Sequence, residues 1–177
     1  MKYVTALAPL LLLLALTGCF LFKATHTIEG VSYAYPRSYA IAEQGLEPGF
    51  DDVERPTVRH KDGASAIGVI VAKHGELQSV VDLASTLRTK YRSSKYARDA
   101  IFSDVTPQVY VGKNRKVPGA RFTQTNEILG LAVEVAFHIY VVQGATKEVM
   151  VLFVTGAGDV IDDDHDLAQV LRTLVVP

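Results

Sequence analysis

Residues 118–155, PGARFTQTNEILGLAVEVAFHIYVVQGATKEVMVLFVT, decide the fold. They hold three strand-like runs, at 118–125, 131–142 and 147–155, separated by the turn-forming stretch 126–130 and by Gly144-Ala145. Strands joined by connections this short must lie antiparallel, because a parallel pair needs a crossover of a dozen residues or more. Within 131–142 the period of two puts Glu134, His138 and Tyr140 on one face. Val133, Val135, Phe137, Ile139 and Val141 share the other. A Glu and a His four positions apart could do acid–base chemistry. The same pattern suits a face that is solvated, or partly covered and hydrogen-bonded. The run 149–154 is apolar on both faces and needs cover on both sides.

Working outward, 104–111 reads as a further strand of the same meander, and 66–72 is a short continuous apolar run typical of a strand buried on both faces. Between them, Leu77, Val80, Val81, Ala84, Leu87 and Tyr91 fall on one stripe at helical spacing, with Gln78, Asp82, Ser85 and Thr89 opposite. Val31-Ser32-Tyr33-Ala34-Tyr35 alternates as a half-buried strand and stops at Pro36. Residues 43–56 read as an acidic loop. At the far end, Leu167, Val170, Leu171, Leu174 and Val175 predict a helix over about 164–175. The order β-β-α-β-β-β-β-α defines an α+β class: an antiparallel sheet of about six strands with two helices packed on it, one domain over residues 28–177.

The start of the chain carries an address. Met1-Lys2 is positive, and residues 4–16 are apolar apart from Thr5 and Pro9. That run is too short to cross a ~30 Å hydrocarbon core, which takes about 20 residues, and it has the length of a signal-peptide core. It ends in Leu16-Thr17-Gly18-Cys19, which resembles the bacterial lipobox. The resemblance implies that residues 1–18 are a signal peptide cut between Gly18 and Cys19. It also implies that Cys19 carries a diacylglycerol, with its new amine usually acylated. Cys19 is the chain's one cysteine. That excludes a disulfide framework and a zinc site built on several thiolates. A thioether, unlike a lone thiol, cannot form a disulfide, so lipidation also accounts for a solitary cysteine. Residues 19–27 then form a short tether that keeps the domain near the bilayer, at most about 3.3–3.6 Å per residue. Phe20 stands where enteric bacteria place the Asp that retains lipoproteins at the inner membrane, so the outer membrane is the expected location.

Gly30-Val31-Ser32-Tyr33-Ala34-Tyr35-Pro36 followed by Tyr39 is similar to the opening of PsbP-like and DcrB-like domains, as is the later meander closing with Thr155-Gly156 and a helix. The family often has Trp after the Pro. This chain has none, and Tyr39 would stand in. The resemblance implies a mostly non-catalytic domain of an assembly factor, lipoprotein or envelope-machinery subunit.

The remaining chemistry is sparse. Lys+Arg 18 against Asp+Glu 19 leaves a net charge of −1, which excludes a general nucleic-acid binder. A hydrophobic fraction of 49% excludes a disordered chain. No G-x-S-x-G, P-loop or H-E-x-x-H is present, and Gly156-Ala157-Gly158-Asp159 lacks the third Gly of a dinucleotide site. No cofactor and no catalytic residue is expected. Asp159, Asp162, Asp163, Asp164 and Asp166 surround His165. They read as acids that cap the last helix, with Asp162, Asp164 and Asp166 as candidate ligands for a hard cation in the alternative reading of a small-ligand or cation-binding lipoprotein. Arg88, Lys90, Arg92, Lys95 and Arg98 put five cations and no anion in one segment, and Lys113, Arg115 and Lys116 add a basic turn. The first group suits a solvated helix end, or contact with anionic headgroups or an acidic partner. Taken together, these residues predict a non-enzymatic, lipid-anchored, periplasm-facing envelope domain. Its expected partners are the membrane, through Cys19, and an unidentified envelope protein.

Overall fold

The computed structural model describes residues 23–42, 57–60, 65–93, 97, 99–162 and 164–177. The long runs of the meander are its centre. Strands β8 (Lys116–Ile128), β9 (Leu131–Gln143) and β10 (Lys147–Gly156) pair antiparallel in sequence order. On the far side of β10 lies β5 (Ala66–Lys73), followed by β4 (Thr57–His60) and β3 (Tyr39–Ala42). The outer edge of β8 carries β6 (Ile101–Phe102) and β7 (Thr106–Val111). The eight-stranded order is β3-β4-β5-β10-β9-β8-β6, with β7 also on β8.

The α+β class, the antiparallel sheet and the two helices are those expected. The strand count is higher because β3, β4 and β6 are two to four residues long, too short for a periodicity to register. The strand β2 (Val31–Pro36) is not in the large sheet. It pairs with β1 (Lys23–Ile28) as a separate hairpin, so the domain begins inside the stretch 19–27 expected to be tether. Glu29 and Gly30 both have positive φ (48° and 82°), the conformation whose twist matches a two-residue hairpin.

Both faces of the central strands are covered. On one face the β1–β2 hairpin and the helix α2 (Ala168–Thr173) bury Tyr33, Tyr140, Phe153, Leu167 and Leu171. On the other, α1 (Val80–Ser93) lays Ala84, Leu87 and Tyr91 onto Phe122, Phe137 and Leu152. Phe122 and Phe137 stack at 4.7 Å and 11°, and Tyr91 meets Phe137 at 4.7 Å. Each such pair contributes about 0.5–1.5 kcal/mol beyond its area.

The helix starts have separate causes. Ser79 caps α1: its Oγ accepts the Asp82 N–H at 3.2 Å and donates to Asp82 Oδ2 at 2.6 Å. The helix therefore begins at Val80, three residues after Leu77. The last helix is shorter than 164–175 because side chains divert its approach into turns. Asp162 Oδ1 accepts the N–H groups of Asp164 and His165, both at 3.1 Å, and His165 Nδ1 accepts that of Leu167 at 3.1 Å. Leu167 is then the N-cap, with no side-chain cap.

One close approach yields a prediction. A Cβ on Gly119 would lie 2.6 Å from Tyr140 Cδ1 and 2.9 Å from the Ile139 carbonyl oxygen, and neither the buried ring nor the backbone can yield freely. Gly119→Ala is expected to lower stability by about 1–3 kcal/mol through overpacking, read by urea unfolding. An unchanged midpoint would show that the β8–β9 ladder yields at this point.

Candidate functional site

The sheet has two distinguishable ends, and the register tells them apart. The Glu29–Gly30 turn sits at the β9–β10 turn, where Lys147 Nζ reaches the Glu29 carbonyl and Thr146 N–H donates to Pro177 O at 3.1 Å. From there β2 runs past Val175, which it bridges at Ser32, to Pro36. Tyr39 Oη then meets Ser65 Oγ at 2.6 Å, just before β5 starts. Lys23, which pairs with Pro36, therefore enters the domain at the end opposite Lys147.

At that same end β8 and β9 outrun their neighbours. Gly156, the last residue of β10, pairs with Val135, so residues 131–134 of β9 project past it. The outermost residues of the projecting hairpin are apolar, with Leu129 98% exposed, Leu131 70% and Ile128 52%, while Glu127 and Glu134 are exposed farther back on it. Leu129 holds φ at 52° and Gly130 at 77°. Hairpin turns usually give the first of these positions to Asn, Asp or Gly. Reading 126–130 simply as a turn missed this surface; the signal was Ile128-Leu129 placed where a polar pair is expected.

α1 runs toward the same end. Its start lies beside Val141 and Val142, and its Tyr91 sits on Phe137. The cations of its second half are thus carried toward the tip. Lys90 and Arg92 are exposed, and Arg88 Nη2 lies 3.4 Å from Asp104 Oδ1, an anion supplied by the loop between β6 and β7. Lys95 and Arg98 lie outside the described residues, as do Gly18, Cys19, Asp163, the signal segment 1–18 and the acidic loop 43–56.

The structure does not assemble an acid–base pair from β9. Glu134 is exposed on the projecting part, and His138 is 1% exposed, four strand residues and about 14 Å away. The face expected to be solvated or partly covered is sealed at His138 and Tyr140. Burial pushes His138 down from 6.5 to about 4; Arg121 and His165 act in the same direction and Asp159 opposes them. Its Nδ1 lies 3.4 Å from the Gln108 side-chain amide, and its Nε2 has no hydrogen-bond partner. Arg121 reaches the Ala157 carbonyl. That bond ties the start of the segment after β10 to the sheet.

At the opposite end a groove of about 500 Å³ runs between the start of α1 and the starts and ends of β8 and β9, with Ser79, Arg115, Lys116 and Gln143 on its walls. Arg115 is committed structurally, donating through Nη1 to the Leu171 carbonyl at 2.9 Å. Glu148, 3.4 Å from Gln143 Nε2, is buried and accepts the Leu77 N–H at 3.1 Å. That bond, with one from Gly75, holds its carboxyl below the usual range against the effect of burial. Asp162, Asp164 and Asp166 do not form a ligand cluster: among the described residues no three His, Asp or Glu side chains are placed to hold a metal ion.

No family model and no curated protein matches the chain. Among solved structures it is similar to LpqN, a protein involved in cell envelope biogenesis of Mycobacterium tuberculosis. The identity is 10% and the TM-score 0.37, over 76% of this chain and 79% of that one. Among the described residues, no helix is long and apolar enough to cross a membrane.

Proposed function

We propose that the chain is a lipoprotein of the bacterial cell envelope, held by acyl groups on Cys19, whose domain works through protein contacts and not by catalysis. The observation that carries this reading is Leu16-Thr17-Gly18-Cys19 at the end of a short apolar run. Two or three acyl chains are what stable attachment needs, since each buried CH₂ contributes about 0.8 kcal/mol. The enclosed state of His138 favours a structural role for that side chain. A surface for protein contact is offered by β7, an outer strand of the sheet whose Val109 and Val111 are exposed while Tyr110 is buried between them. Phe20 after the lipidated Cys favours the outer membrane.

Cys19→Ser tests the anchor. The variant is expected to accumulate as precursor or to appear as soluble protein, and to leave the detergent phase on partition. Mature, membrane-bound Cys19→Ser protein would refute the lipoprotein reading.

A further inference from the structure

We propose that the β8–β9 tip is a second membrane contact, with Ile128, Leu129 and Leu131 entering the bilayer beside the lipid anchor. The inference rests on the lipoprotein reading, because it is the position of the anchor that names the occupant. Three observations converge on a lipid surface. The chain enters the domain at Lys23, at the end of the sheet from which the tip projects. The reach of the segment before Lys23 also fits. Cys19 is four residues upstream, at most about 14 Å of extended chain. The tip overhangs the last β10 pair by the four residues 131–134, also about 14 Å along the strand. Acyl chains on Cys19 and side chains at the tip can therefore meet one plane. The third observation is charge. The second half of α1 carries exposed Lys90 and Arg92 toward this end, while Arg88 is paired to Asp104 and Glu127 and Glu134 are exposed on the hairpin. The two exposed cations are set back from the tip, where they lie level with anionic headgroups when the apolar residues are below them.

The turn itself supports this use. Leu129 occupies a left-handed backbone position at 98% exposure, where Asn or Gly would be less strained and would place no apolar surface in water. Insertion removes that exposure. Ile101, 73% exposed on the strand paired with β8 at Thr125, extends the same apolar end.

The chain contains no tryptophan, so one introduced Trp reports alone. Full-length Leu129→Trp and Leu131→Trp proteins, purified from membranes with their acyl groups, are reconstituted into vesicles of phosphatidylethanolamine and phosphatidylglycerol containing brominated acyl chains. Ala145→Trp, in the exposed β9–β10 turn at the opposite end, is the control. The expected result is a loss of emission and a blue shift for the tip variants, with none for Ala145→Trp. Emission from both tip variants that bromolipid leaves unchanged, in protein whose mass shows the acyl groups and which floats with the vesicles, overturns the inference and assigns the tip to a protein partner or a second copy. Protein that carries no acyl mass refutes the lipoprotein reading and this inference with it.

Discussion

Leu171→Ala is expected to lower the free energy of unfolding by about 2–5 kcal/mol, the lost transfer of a buried side chain plus the cavity it leaves. Leu171 is fully buried in α2, and its neighbours Leu167, Val170 and Leu174 are buried with it. A helix of six residues has no stability of its own in water, because nucleation costs more than so few hydrogen bonds return. α2 exists because its apolar face is buried. The truncation also loosens the element that Arg115 and β2 grip, through the Leu171 carbonyl and through Thr173 Oγ1, which accepts the Ala34 N–H at 2.8 Å. Leu87→Ala on α1, 5% exposed, acts on the opposite face of the sheet and belongs to the same range. Urea midpoints of both variants measure the effect. Losses below about 0.5 kcal/mol in both would place the core elsewhere.

Acid is expected to destabilise the fold by about 3 kcal/mol through His138 alone, the linkage value of a shift from 6.5 to about 4. The sign follows from proton counts. Between those two values the unfolded chain holds a proton on this imidazole and the folded chain does not. Lowering the pH therefore favours unfolding across that window. The contribution is complete above about 6.5 and lost by about 4. His138→Leu removes the group, so its unfolding free energy should fall less steeply than the parent's between pH 6.5 and 4 in urea titrations. Parallel curves would show that the ring is protonated in the folded state, with Gln108 and solvent accommodating its charge.

The long strands were legible because each carries enough alternation, or enough unbroken apolar length, to show its period, and short turns made them antiparallel. Both helices were legible from their apolar stripes. What was lost is short or polar. Lys23-Ala24-Thr25-His26-Thr27-Ile28 has β-branched residues but little apolar signal, and it is a strand because β2 offers it a partner. The two-residue β6 exists only by pairing with β8. Burial of His138 was illegible for a different reason. A polar face on a strand marks solvent only when nothing lies above it, and here Ile161, from the segment after β10, is buried in the same cluster as Tyr140. The same segment misled the reading of the last helix, since Asp162 and His165 bind backbone N–H groups locally before the helix can take them. Of the candidate site, the lipobox and the cations of α1 could be read directly from residues. The apolar tip required knowing which hairpin outruns its neighbours.

The clasp between the two ends of the domain has a consequence for biogenesis. Ser32 and Val175 exchange backbone hydrogen bonds at 3.2 and 2.8 Å, and Ala34 bonds Thr173, so the first hairpin is roofed by residues about 140 positions later in the chain. Loop closure over such a separation is slow. A nascent chain therefore keeps Tyr33 and Tyr35 without their final cover until Val175 has emerged. If the chain is exported as the proposed lipoprotein, such a delay keeps it open for passage through a membrane pore until residues 173–175 are through.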